Sequence, residues 1–164
     1  MDSRGEILEL LRENARYSVE DIARLSDSSE DDVEAAIADL ESAGIVRGYQ
    51  AVLDWGAVDE DDQPVRASVE LNVTLDRETS YADIADRIAK FPQVRSLRLI
   101  SGDYDFDMVV EGDSMSEVSH FISDKVAPIP EVTQTVTHYV MESYKEQGIE
   151  FGDGHDDDRL SISP

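Results

Sequence analysis

The segment VRASVELNVTL, residues 65–75, decides how the second half of this chain folds. Apolar and polar side chains alternate along it with a period of two residues. The apolar members are Val65, Ala67, Val69, Leu71, Val73 and Leu75. This alternation is typical of a β-strand with one buried face and one open face. We therefore predict a strand here, with a hydrophobic core on one side of it.

The residues that follow predict alternating helices and strands. Ser80 and Asp83 have the Ser-x-x-acid form of a capping box, and they open a helix that Pro92 ends. The remaining predicted elements are a strand at residues 94–100, a turn at 102–105, a strand at 106–110, a helix capped by Ser114 and a strand at 132–141. The order β-α-β-β-α-β predicts a ferredoxin-like domain.

In residues 1–47, apolar residues recur at helical spacing instead. Ser18 and Ser29 each open a Ser-x-x-Asp capping pattern that an amphipathic run follows, and Gly44 is placed to end the second run. Three short helices, two of them joined by a tight turn, predict a helix-turn-helix. The fold class is therefore α+β, with a winged-type helix-turn-helix before the ferredoxin-like βαββαβ domain.

Composition sets the expected domain boundaries. We predict a helix-turn-helix domain at residues 1–54, a linker at 55–64, the ferredoxin-like domain at 65–145 and an acidic tail at 146–164 that is poorly ordered from Gly148 on. Within the first domain, residues 45–53 alternate and predict an extended connector. Most of the linker is the acidic stretch GAVDEDDQP at residues 56–64, which has Gly and Pro at its ends, as loops commonly do.

The charge balance is strongly acidic, with 38 acidic residues against 14 basic ones and a net charge of −24. Like charges at this density repel and weaken a compact state unless salt screens them. The Debye length falls to about 3 Å at about 1 M salt. Because the acid is spread over every segment and lysine is scarce, the pattern favours a salt-rich cytoplasm. The alternative is an acidic protein that binds cationic partners, for which one charged face would suffice.

Several classes of function have little support. The chain has no cysteine and three histidines, so we expect no metal site and no cofactor. It has no Ser/His/Asp set and no phosphate loop, so we expect no catalytic residues and no enzyme activity. No apolar run is long enough to span a membrane, and the acidic and basic N-terminus is unlike a signal peptide. We therefore expect a cytoplasmic protein that makes no membrane contact.

Four motifs, in order, resemble the Lrp/AsnC (feast/famine) family of transcriptional regulators. They are EILELLRENARYSVEDIA at residues 6–23, LESAGIVRGYQAVLD at 40–54, SGDYDF at 101–106 and IPEVTQTVTHYVMESYK at 129–145. The resemblance implies a DNA-binding first domain. It also implies a second domain, of the RAM/ACT-like type, that binds small effectors, often amino acids, where subunits meet. With its acidic composition, the chain resembles a haloarchaeal member.

The predicted third helix departs from the family's pattern. The family usually has arginine or lysine at its DNA-facing positions, whereas this helix has none. Residues 1–54 hold five arginines against 14 acidic residues, although cations normally provide affinity for phosphate. The candidate DNA-binding residues are Ser28, Ser29, Asp31, Asp32, Ala35, Ala36 and Arg47. A second departure is Glu131, which replaces a glycine after the proline of the last motif.

The candidate effector site lies at the turn between two strands. A turn leaves backbone N–H groups free to meet a carboxylate, and Asp103 or Asp105 can accept from an ammonium group. The candidate effector-binding residues are Ser101, Gly102, Asp103, Tyr104, Asp105 and Thr137. The alternative is that the turn only joins two strands, with glycine supplying a positive φ.

The sequence therefore predicts a regulator that binds double-stranded DNA and responds to a small effector, such as an amino acid. The alternative is a ligand-sensing or protein-interaction module of the same ancestry that no longer binds DNA, and an enzyme of ferredoxin-like fold is a third class. We expect a homodimer or a higher even-numbered oligomer formed by packing of open sheet faces. The residues expected on that open face are Thr133, Thr135, Thr137, Tyr139 and Met141.

Overall fold

The computed structural model of this protein describes residues 3–152. The chain divides into two compact units, Met1–Val52 and Leu53–Pro164. Each unit has its own cluster of buried apolar side chains, so each is described separately.

The first unit contains three helices, as the sequence predicts. They are α1 (Ser3–Glu13), α2 (Val19–Leu25) and α3 (Glu30–Ser42). Ser18 and Asp21 form a complete capping box at the start of α2. Gly44, with φ of 68°, follows the end of α3 in the left-handed region that glycine adopts without strain. The helices enclose a small core made of Ile7, Leu11, Ile22, Ala23 and Val33.

The predicted extended connector at residues 45–53 forms no hydrogen-bonded strand. A strand must pair its backbone N–H and C=O groups with a neighbour. Within residues 3–152 no segment pairs with the connector, so alternation of side chains alone does not make it a strand. The predicted linker is also structured, because it contains two short 3-10 turns at Trp55–Ala57 and Glu60–Asp62.

The second unit has the predicted order β-α-β-β-α-β. Its elements are β1 (Val65–Val73), α4 (Tyr81–Ile88), β2 (Val94–Leu99), β3 (Phe106–Gly112), α5 (Met115–Phe121) and β4 (Val132–Tyr139). The four strands form an antiparallel sheet in the order β2-β3-β1-β4. A π-helical turn, Ile122–Val126, continues α5.

One face of this sheet carries the core. Ala67, Val69 and Leu71 of β1 are fully buried beside Val110, Met108 and Phe106 of β3. The buried side chains Ile84, Ile88 and Val118 of the two helices complete the same cluster. Burial of each large apolar side chain stabilises the fold by about 1.5–3 kcal/mol, so this cluster fixes which side of the sheet the helices cover.

The register of β4 corrects the predicted open face. Thr135, Thr137 and Tyr139 lie opposite Leu71, Val69 and Ala67, so they share the helix-covered face. The residues on the uncovered face are instead Gln134, Val136 and His138, opposite Asn72, Glu70 and Ser68. The alternating residues of β4 can be assigned to the two faces of the sheet in two ways, and only the pairing of β4 with β1 decides between them. Thr133 lies at a register shift, and Met141 lies beyond the end of the strand.

The two remaining differences concern Glu131 and the tail. Glu131, in place of the family's glycine, pairs with Arg87 at 2.8 Å, and its carbonyl oxygen accepts the N–H of Thr74 at 2.8 Å. The first residues of the predicted tail are structured, because β5 (Lys145–Glu146) and β6 (Ile149–Glu150) form a hairpin. Positive φ values at Gln147 and Gly148 allow its tight turn. Residues 153–164 of the predicted tail lie outside the described residues.

Candidate functional site

The N-terminus of α3 is the first candidate surface. The hydroxyl oxygen of Ser29 accepts the N–H of Asp32 at 3.2 Å, and the same hydroxyl donates to the Asp32 carboxylate at 2.6 Å. Asp32 is therefore engaged in capping the helix. Glu30, Asp31 and Asp32 all lie in the first turn, where negative charge interacts favourably with the helix dipole.

The structure brings most of the predicted DNA-binding residues together at this end of α3. Ser29, Asp31, Asp32 and Ala35 are exposed. Ser28 is half-buried, and its N–H donates to the carbonyl oxygen of Ala23 at 3.0 Å. The exposed members form a surface that carries hydroxyl and carboxylate groups and no cation.

Two predicted DNA-binding residues do not belong to that surface. Ala36 packs against the core of the first unit. Arg47 lies beside Gly44 at the other end of α3, since a Cβ built on Gly44 would be 3.2 Å from the Arg47 guanidinium. The 13 residues of α3 span about 20 Å, so Arg47 is far from Ser29 along the helix. It is exposed and makes no ion pair within residues 3–152.

Two other arginines of the first unit, Arg12 and Arg24, are paired. Arg12 contacts Glu9 at 2.8 Å, and Arg24 contacts Asp21 at 3.3 Å, in each case on its own helix. These exposed pairs contribute little to stability, but they lower the positive charge that the unit presents. Of these three arginines, Arg47 is therefore the cation most available to a phosphate.

The turn between β2 and β3 is the second candidate surface. Ser101, Gly102 and Asp103 are exposed, while Tyr104 and Asp105 are half-buried. Gly102 has φ of 120°, a backbone angle that residues with a Cβ atom rarely adopt. The N–H groups of Gly102 and Asp103 donate to no acceptor within the described residues, so they are available to a ligand.

Asp105 has a structural role within this turn. Its carboxylate accepts the N–H of Val73 at 2.9 Å and the hydroxyl of Tyr81 at 3.4 Å. Its own N–H donates to the carbonyl oxygen of Leu71 at 2.9 Å. These contacts attach the turn to β1 and α4. Tyr81 was not predicted as part of the site, because 24 residues separate it from Asp105 in sequence.

Thr137 does not lie beside the turn in this chain. It is opposite Val69 on β4, and β1 separates β4 from β3, the strand that follows the turn. Two strand spacings amount to about 9–10 Å, whereas an amino acid needs both of its charged poles bound within a few ångströms. Within one chain, Thr137 and the turn therefore do not form a single site for an amino acid.

Pairs of opposite charge cover the open face of the sheet. Asp107 contacts Arg98 and accepts the Ser68 hydroxyl at 3.2 Å. The Glu70 carboxylate lies 3.1 Å from Nε2 of His138. Further along the sheet, Glu111 contacts Arg66 at 3.4 Å and Arg95 at 3.1 Å. Sequence reasoning missed this face, because these pairs exist only in the final strand register.

Comparison with known proteins gives the family of the chain. The Lrp/AsnC ligand binding domain matches residues 66–149, and the winged helix-turn-helix DNA-binding domain matches residues 2–47. The chain belongs to the Lrp/AsnC family of transcriptional regulators. The α-helical first unit and the sheet of the second unit are the two domains of this family.

Relatives of the Lrp/AsnC family match almost the whole chain. An uncharacterised HTH-type transcriptional regulator of Bacillus subtilis, YugG, is 38% identical over 159 residues, which are 97% of this chain and 95% of that protein. A proline dehydrogenase transcriptional activator of Rhizobium radiobacter is 26% identical over 88% of this chain and 90% of its own length. The homologues are thus transcriptional regulators.

Solved structures of Lrp/AsnC proteins share the fold. The transcriptional regulator NMB0573 of Neisseria meningitidis, in complex with L-Met, matches with a TM-score of 0.66 at 24% identity, over 89% of this chain and 92% of that chain. E. coli AsnC matches with a TM-score of 0.65 at 19% identity, over 91% and 97% of the two chains. Among the described residues, no helix is long and apolar enough to cross a membrane.

Proposed function

We propose that this Lrp/AsnC regulator binds DNA as a homodimer or a higher even-numbered oligomer, and that a small effector such as an amino acid modulates the binding. The observation that carries the proposal is a capped, exposed α3 in a helix-turn-helix unit, followed by the family's ligand-binding domain. A regulator of this kind acts where the DNA is, so the proposal includes a cytoplasmic location. It includes no enzyme activity.

The acidic surface of α3 requires an unusual mode of contact with DNA. We assign the contact to the exposed hydroxyl of Ser29, the N-terminal N–H groups of α3 and the guanidinium of Arg47, with solvent cations between the carboxylates and the phosphates. Such a contact needs high salt. The net charge of −24 supports the same condition, and we propose a salt-rich cytoplasm of the haloarchaeal type.

The proposed effector site is at the turn of residues 101–105. The N–H groups of Gly102 and Asp103 can meet a carboxylate, and the exposed carboxylate of Asp103 can accept from an ammonium group. Asp105 supports the turn. The complex of the Neisseria relative with L-Met supports an amino acid as the kind of effector. Binding where subunits meet would favour one assembly over another, and hence change DNA affinity.

A DNA-binding assay in molar KCl tests the proposal. The purified protein is titrated onto the DNA upstream of its own gene and onto unrelated DNA of equal length. We expect tighter binding to its own upstream DNA, and weaker binding by Arg47→Gln. Arg77→Gln, an exposed arginine of the second unit, is the matched control and should bind as the wild type does. Absence of binding to either DNA at every KCl concentration would favour the protein-interaction module.

A further inference from the structure

A cavity of about 270 Å³ lies in the second unit where β1 begins and β4 has ended. The turn of residues 101–105 is at the opposite end of these strands, beside Leu71 and Val73. The cavity is lined by Trp55, Gly56, Glu60, Gln63, Pro64, Arg66, Val140, Met141, Glu142 and Ser143. It combines an aromatic ring, apolar side chains and carboxylates.

The two 3-10 turns hold Trp55, the aromatic residue of the lining, in place. The carboxylate of Asp54 accepts the N–H of Gly56 at 3.0 Å and so caps the turn that contains Trp55. The side-chain amide of Gln63 donates to the carbonyl oxygen of Val58 at 2.6 Å, which ties the segment back on itself. Trp55 is half-buried, so part of its surface is open to a ligand.

The positive charge of the lining is already neutralised. The guanidinium of Arg66 contacts Glu146 at 3.0 Å and Glu111 at 3.4 Å, and only 19% of its side chain is exposed. Burial acts to raise the pKa of Glu146, but hydrogen bonds from Arg66 and Ser143 outweigh it and lower that pKa. Glu146 therefore stays ionised. Two carboxylates therefore balance the single positive charge of Arg66 beside the cavity.

The remaining charged groups of the lining are the carboxylates of Glu60 and Glu142. The hydroxyl of Tyr144 donates to Glu142 at 2.8 Å, which helps to fix that carboxylate. Val140 and Met141 add apolar surface, and 88% of Met141 is exposed. A negative, partly aromatic cavity of this kind attracts a cation that has an apolar body.

We propose that this cavity binds a small organic cation, either a protonated amine or a quaternary ammonium ion. Its charge would lie over the ring of Trp55, the most favourable side chain for a cation–π interaction. The carboxylates of Glu60 and Glu142 balance the charge, while Val140 and Met141 contact the alkyl groups. This site is separate from the proposed amino-acid effector site and does not depend on it.

Trp55 is also the reporter for the test, because it is the only tryptophan of the chain. Tetramethylammonium chloride replaces KCl at constant ionic strength while the fluorescence of the protein is recorded. We expect a saturable change in fluorescence with tetramethylammonium. A higher dissociation constant with methylammonium chloride would show that the site prefers the quaternary ion. Glu60→Gln and Glu142→Gln should each raise the dissociation constant severalfold. Glu78→Gln, an exposed carboxylate outside the cavity, should leave it unchanged.

Two results would overturn the proposal. A change that never saturates, or one that is equal in all three glutamate variants, means that ammonium ions only associate with the general acidic surface. Trp55→Phe provides an independent measurement, in which binding is followed by broadening of the methyl proton signal of tetramethylammonium. Weaker broadening than with the wild type supports the site, and equal broadening excludes the ring. Circular dichroism of each variant confirms that it is folded.

Discussion

The carboxylate of Asp105 accepts the backbone N–H of Val73 at 2.9 Å. This bond joins the last residue of the turn of residues 101–105 to the end of strand β1. The other carboxylate oxygen receives the Tyr81 hydroxyl at 3.4 Å, so α4 is joined to the same point. The roles within the turn are therefore divided, because Asp105 holds its shape while Gly102 and Asp103 face solvent.

Removal of the Asp105 carboxylate should destabilise the second unit. Asp105→Ala leaves the N–H of Val73 without its acceptor, which costs about 1–3 kcal/mol of unfolding free energy. Asp105→Asn keeps a carbonyl oxygen and should cost less. Asp103→Ala, in the exposed part of the same turn, is the control and should stay within about 0.5 kcal/mol of wild type. Urea unfolding followed by Trp55 fluorescence measures all three, and equal stability of Asp105→Ala and wild type would contradict this role.

Effector binding should depend on Asp103 directly. In high KCl, we expect at least one of the twenty amino acids to raise the melting temperature of the wild type, since a ligand that binds only the folded state stabilises it. Asp103→Asn should reduce that rise, because the ammonium group loses its carboxylate partner. Asp86→Asn, an exposed carboxylate on α4, should respond as the wild type does. If no amino acid raises the melting temperature, the effector belongs to another chemical class.

Most of the fold could be predicted, because local patterns encode it. The alternation in residues 65–75 marks β1, and the capping pairs at Ser18 and Ser80 mark the starts of α2 and α4. The sequence could not predict which residues of β4 lie on the covered face, since both alternating sets contain apolar and polar residues. Pairing with Ala67, Val69 and Leu71 decides it, and that is a contact between distant parts of the chain.

The candidate sites were predictable only in part, for the same reason. Motif residues such as Gly102 and Asp103 are adjacent in sequence and remain adjacent in the turn. Thr137 matches the family's motif, yet the strand order places β1 between it and the turn. Arg66 reaches Glu146 across 80 residues of sequence, so no local pattern could indicate the cation that is neutralised beside the cavity.

Acid should destabilise the second unit through the cap of α4. The Ser80 hydroxyl and then the Ser80 N–H donate to the carboxylate of Asp83, and these hydrogen bonds hold the pKa of Asp83 below its ordinary value of 3.8. The folded state therefore binds a proton less readily than the unfolded state. The stabilisation is present above the unfolded pKa and is lost as the pH falls through the folded pKa.

This pH dependence is best measured in about 3 M KCl, where the repulsion among the other carboxylates is screened. We expect the unfolding free energy from urea titrations to fall as the pH is lowered below about 4, where carboxylates protonate. Asp83→Asn should lose less stability over that range than the wild type. Asp86→Asn, on the same helix and outside the capping box, should follow the wild type. Parallel curves for all three proteins would contradict a role for the cap.

DNA binding should respond to salt unlike that of a basic regulator. A basic protein loses affinity with a log-log slope of about −0.9 per phosphate contact as salt rises. Here α3 has no cation to displace counterions, and potassium must be taken up between carboxylates and phosphates, so we expect a slope near zero or positive. Asp31→Asn and Glu34→Gln should tighten binding at about 0.5 M KCl and do so less at about 3 M, because screening removes the repulsion.

Glu78→Gln is the control for this experiment, since it removes an exposed acidic charge from the second unit instead of α3. It should leave the salt dependence of DNA binding unchanged. A steep negative slope over the same range of KCl would refute the prediction. It would mean that arginines such as Arg47, and not bridging cations, dominate the contact.

Assembly should depend on the uncovered face of the sheet. Val136 lies on that face, opposite Glu70, whereas Leu99 lies opposite Phe106 on the helix-covered side and is 58% exposed. If two sheets pack through their uncovered faces, Val136→Glu places a carboxylate in the interface and beside Glu70, where the like charges repel. Leu99→Glu adds the same charge outside that interface.

Sedimentation in about 2–4 M KCl, where surface repulsion is screened, should therefore give a dimer or larger even-numbered assembly for the wild type and for Leu99→Glu. Val136→Glu should give a smaller species. Dilution into low salt should loosen the wild-type assembly, because chains that each carry a net charge of −24 then repel one another. A wild type that sediments as an 18.3 kDa monomer in high KCl would refute the assembly itself, whereas unchanged sedimentation of Val136→Glu would place the interface on another surface.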